Sequence, residues 1–124
     1  MNRTVGRLII CGCAVVIAYL SLSSGELQKW GHFAYLDKLQ HLMAYTSFAF
    51  VACCCVRHWH RRWAVAIGIL LFSAVIEWLQ GYVGRETSWF DLAANASGIL
   101  TGLLSYRIWS LYRPGLVKSL YSIR

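Results

Sequence analysis

Acidic side chains are scarce in this sequence: five Asp and Glu stand against twelve Lys and Arg, a formal charge of +7 over 124 residues. A tandem repeat and a low-complexity linker are also absent, so the length reads as one domain, residues 1–124. The five cysteines are Cys11, Cys13 and the run Cys53, Cys54, Cys55. They lack the spacing of a zinc ribbon or a secreted disulfide scaffold, and they lie inside apolar runs as small buried residues do. No H-x-x-x-H or H-E-x-x-H spacing occurs, so no metal is expected and no cofactor is indicated. No residue carries a nucleophile signature; Ser88 stands alone in a loop, which disfavours a covalent mechanism.

Apolar surface is what the chain has in excess. It is 58% hydrophobic, with six Trp and seven Tyr. A soluble domain this short cannot bury that much and would show large sticky patches. Lipid as the solvent resolves the conflict. Four apolar runs predict helices at about 5–22, 39–56, 63–83 and 91–111, with a short tail over 112–124. A span needs about 20 residues. Strands are disfavoured, because backbone groups in lipid require helices or a closed barrel and the runs are too long for strands. The expected fold is all-α, an integral membrane bundle of four transmembrane helices. The first run, flanked by Arg3 and Arg7, also reads as a signal peptide, but no A-x-A site follows it and an uncleaved first helix is expected. "YRPGL" is expected to stop the fourth helix.

The charges set the orientation. Arg3, Arg7, Arg57, Arg61, Arg62, Arg107, Arg113, Lys118 and Arg124 fall at the termini and the second loop. Lys29, Lys38 and Arg85 fall on the other side, with all five acids. The positive-inside rule puts both termini in the cytoplasm. The basic residues form short clusters at the ends of apolar runs, which argues for topology and against nucleic acid. "RHWHRRW" reads as a headgroup anchor.

With that orientation, polar residues from three helices converge on the outer end. Asp37, His41 and Tyr45 are spaced i, i+4, i+8, one stripe on the second helix. Lys38 lies beside it. Glu77 and Gln80 come before the third helix ends, and Asp91 and Asn95 share a face at the start of the fourth. Arg85 lies in the loop between. The stripe below Asn95 continues as Gly98 and Gly102, a pair that admits another helix closely and offers a face for a homo-oligomer. Charges inside a bilayer are costly, so these groups are expected to meet one another or water.

"DKLQHLMAY" followed by "IEWLQGYVGRETSWFDLAANASGILTG" resembles the VanZ-like family of small bacterial membrane proteins, named for a teicoplanin-resistance protein. The motif positions are Asp37, Lys38, His41, Tyr45, Glu77, Gln80, Arg85, Asp91, Asn95 and Gly98. Val83 stands where many relatives carry Pro. The resemblance implies a multi-pass protein of the bacterial cytoplasmic membrane and an envelope role, without naming a reaction.

Two classes of function follow. In the first, His41, Asp37, Glu77 and Asp91 form an acid/base group, with Asp37 holding one imidazole nitrogen and the other left for a proton. Arg85, Lys38, Tyr45, Gln80 and Asn95 then bind the substrate, a lipid-linked envelope precursor or a glycopeptide. In the second, the cluster is not catalytic; it ties helices together and presents a partner surface. Whether the protein is an enzyme stays open. Transport is weakened by small size and the lack of an inverted repeat.

Overall fold

A computed structural model describes residues 2–23, 34–84 and 88–122. All its regular elements are helices: α1 (Arg3–Ser23), α2 (Ala34–Cys55), α3 (Trp59–Tyr82), α4 (Trp89–Tyr112) and α5 (Pro114–Ser122). The expected starts of the second and third helices were too late. "AYLDK" and "WHRR" contain no helix breaker, so α2 begins at Ala34 and α3 at Trp59. The Pro-Gly pair stops α4 as expected. The chain breaks helix at Arg113, but Pro114 then opens α5, where its missing N–H costs nothing.

Two helices, α1 and α3, are long and apolar enough to cross a membrane. α2 and α4 have the length. Their mean hydropathy is lowered by Lys38 and His41 in one and by Asp91, Asn95 and Arg107 in the other.

The buried stripe of α2 runs His41, Tyr45, Phe48, Ala49, Ala52 and Cys53. These fall at helical spacing on one face. α3 buries Arg62, Ala66, Ile69, Ser73, Ile76, Glu77 and Gln80. α4 buries Asp91, Asn95, Gly98, Ile99, Gly102, Leu103 and Tyr106. The interior is therefore layered: polar at the α3–α4 loop end, apolar and small in the middle, Arg and Tyr at the other end. The outside is inverted relative to a water-soluble fold, with Val15, Leu71, Trp78 and Leu104 all more than half exposed.

The tightest seam joins α4 to α2. A Cβ at Gly98 would lie 2.5 Å from the Leu42 carbonyl oxygen, and one at Gly102 would lie 2.5 Å from that of Thr46. The glycine face is thus filled by α2 of the same chain, and a second copy would have to displace it. α1 lies against α2 and α3, touching the core through Ile10, Cys13, Ala14 and Ile17.

Candidate functional site

Ser88 caps α4, its Oγ accepting from the Phe90 N–H at 3.2 Å. That cap puts Asp91 in the first turn, and Asp37 occupies the first turn of α2. Both carboxylates sit where the helix dipole favours negative charge. Lys38 Nζ donates to Asp91 Oδ1 at 3.2 Å across the α2–α4 seam. Lys38 and Asp37 are half-buried, while Asp91 is buried. This is the open side of the cluster.

One turn deeper lies His41. Its Nδ1 is 3.0 Å from Asn95 Oδ1 and 3.6 Å from Glu77 Oε1. Asn95 Nδ2 donates to Glu77 Oε1 at 3.3 Å. A carboxylate only accepts, so this bond orients the amide with Oδ1 toward the ring. His41 Nδ1 must then carry the proton and donate to Asn95. The nitrogen left for proton exchange is Nε2, which faces Asp37 Oδ1 at 4.0 Å, beyond hydrogen-bond length. The expected arrangement is corrected on this point. An i, i+4 spacing brings Asp37 beside the ring, but the groups that orient it, Asn95 and Glu77, come from α4 and α3.

Gln80 departs from the expected cluster. Its Nε2 donates to the Ser21 carbonyl at 3.1 Å, fastening α3 to the end of α1. Tyr45 is buried one turn below His41, and its hydroxyl meets no hydrogen-bond partner among the described residues. Arg85 lies outside the described residues. Asp37, His41 and Asp91 each bring a metal-ligating atom within 4.8 Å of the others. A cation there would have to displace the Lys38 ammonium from Asp91.

The opposite end holds a polar lock. Arg62 is buried; its Nε donates to the Cys53 carbonyl at 3.2 Å and its Nη2 to the Tyr106 and Tyr121 hydroxyls at 2.7 and 3.0 Å. The guanidinium also lies 4.3 Å from the Tyr106 ring centre. Tyr121 belongs to α5 and donates to the Val56 carbonyl at 3.1 Å. Arg62 therefore docks α5 instead of anchoring to headgroups. Its inward aim was legible: Ala66, Ile69, Ser73, Ile76 and Glu77 continue its stripe at helical spacing.

The VanZ/LLP1 family model matches residues 8–110. The chain belongs to that family. No curated protein and no solved structure matches it. The matched span takes in α2 and α3 entire and α4 as far as residue 110, and so every described member of the cluster in this VanZ-family chain.

Proposed function

We propose that this VanZ-family protein spans the bacterial cytoplasmic membrane four times, with both termini in the cytoplasm, and works through the polar cluster at its outer end. The observation that carries the reading is inversion: His41, Glu77, Asp91 and Asn95 are turned inward together, while large apolar side chains face outward. His41 Nε2 is the acid/base atom, oriented through Asn95 by Glu77. Lys38 and Asp37 stand at the mouth, where Lys38 attracts the anionic part of a lipid-linked envelope precursor or a glycopeptide such as teicoplanin.

A second reading has its own support. Asn95 is fully buried and bonded to two partners, and Gln80 serves α1. In that reading the cluster ties three helices together and the protein acts as a non-catalytic module.

His41→Ala and Glu77→Gln separate the two in the native host. Membrane abundance and detergent melting are compared with sensitivity to teicoplanin and other envelope stresses. A lost phenotype at unchanged abundance and melting supports the working site. Early melting of both variants supports the module.

A further inference from the structure

A second charged feature lies at the other end of the bundle, in a groove of about 390 Å³ between the start of α1 and the α2–α3 turn. Arg3 and Arg7 come from α1, Arg57 and His58 from the turn, and Arg61 from the first turn of α3. Among the described residues its walls hold no carboxylate. The described acids are remote: Asp37 precedes Cys55 by most of α2, about 27 Å at 1.5 Å per residue. The neighbouring Arg62 is turned inward onto hydroxyls, but the four groove arginines make no ion pair among the described residues.

Several cations facing one cavity without a counter-charge repel one another, and an anion bound among them removes that repulsion. Local desolvation lowers the His58 pKa from its ordinary value, and the charges of Arg61, His60, Arg57 and Arg3 lower it further. Arginine forks match phosphate oxygens in geometry as well as charge. The groove also has a polarity gradient. Ile10 lies one helical turn deeper than Arg7, and Val65 one turn deeper than Arg61; both line the groove. A phosphate head followed at once by an apolar chain has the same order, which a free anion lacks.

We propose that this groove binds the phosphate of an anionic glycerophospholipid, with the acyl chain running past Ile10 and Val65. The inference rests on the reading of the chain as a membrane protein. The test uses the full chain purified in detergent, delipidated, and exposed to phosphatidylglycerol or phosphatidylcholine, with bound lipid counted by native mass spectrometry. Phosphatidylglycerol is retained at least tenfold better by the wild type. Arg57→Gln combined with Arg61→Gln removes that preference at unchanged melting temperature. If this variant melts early, Arg3→Gln with Arg7→Gln, on the exposed side of α1, takes its place. Equal retention of the two lipids, or full retention by a folded variant, overturns the proposal. Displacement of phosphatidylglycerol by millimolar inorganic phosphate overturns the lipid source and leaves a free-anion site. Carbonate washing of membranes stands apart: release of the protein sinks the membrane reading itself, whatever the groove binds.

Discussion

The α2–α4 seam yields a sharp test through Gly98→Ala. The added Cβ would meet the Leu42 carbonyl oxygen at 2.5 Å and the Tyr45 Cβ at 3.2 Å. Ordinary contact is 3.4–4 Å. Leu42 presents backbone there, so no rotamer relieves the clash, and the helices must part by about 1 Å. Overpacking of this kind costs about 1–3 kcal/mol. Alanine returns about 1 kcal/mol of helix propensity. The net loss is up to about 2 kcal/mol at Gly98 and the same at Gly102, where the Thr46 carbonyl oxygen and the Ala49 Cβ stand in the way. Gly68→Ala is the control, because a Cβ there meets nothing within 4 Å. It keeps the propensity gain, so Gly68→Ala is stabilised while Gly98→Ala and Gly102→Ala are not. Tryptophan fluorescence during unfolding in mixed detergent reads all three. A Gly98→Ala protein stabilised as much as Gly68→Ala would show that α2 and α4 do not meet there, and the site built across that seam would fall with it.

Asn95→Ala removes the link between His41 Nδ1 and Glu77 Oε1, and a buried group left without its partner costs about 1–3 kcal/mol; an unchanged unfolding midpoint would rule that link out. Arg62→Met loses three charge-assisted hydrogen bonds and is expected to lower stability by at least about 1.5–3 kcal/mol. Tyr121→Phe costs about 1 kcal/mol and frees α5, so trypsin cuts at Lys118 faster while the spans stay intact. His58 has a lowered pKa in the folded chain, so the unfolded chain takes the proton first as pH falls. Its contribution is present above the ordinary histidine pKa and is lost on acidification; the melting difference between wild type and His58→Gln narrows or reverses below that pH, and a flat difference would contradict the lowered pKa.

Four of the five helices, their order and most of their burial stripes were readable from composition and spacing, because a helix sorts its faces every three to four residues whatever surrounds it; α5 lay in what read as a tail. His41, Glu77, Asp91 and Asn95 could be placed at one end by the same arithmetic. Pairing across helices was not readable. Spacing along α2 made Asp37 the natural partner of His41, yet Asn95 and Glu77 orient the ring, since distances between helices depend on how closely backbones approach. Gly98 and Gly102 set that approach, and the residues they meet belong to α2 rather than to a second copy. Gln80 was visible as an inward-facing residue and Arg62 read as part of a headgroup anchor, and the partners of both, the Ser21 carbonyl and the Tyr121 hydroxyl, lie 59 positions away in sequence. Local sequence thus determined which side chains face inward, through the helical period and the exclusion of charge from lipid. The tertiary structure alone decided which of them touch, because a hydrogen bond requires about 3 Å and only the packing of whole helices sets distance on that scale.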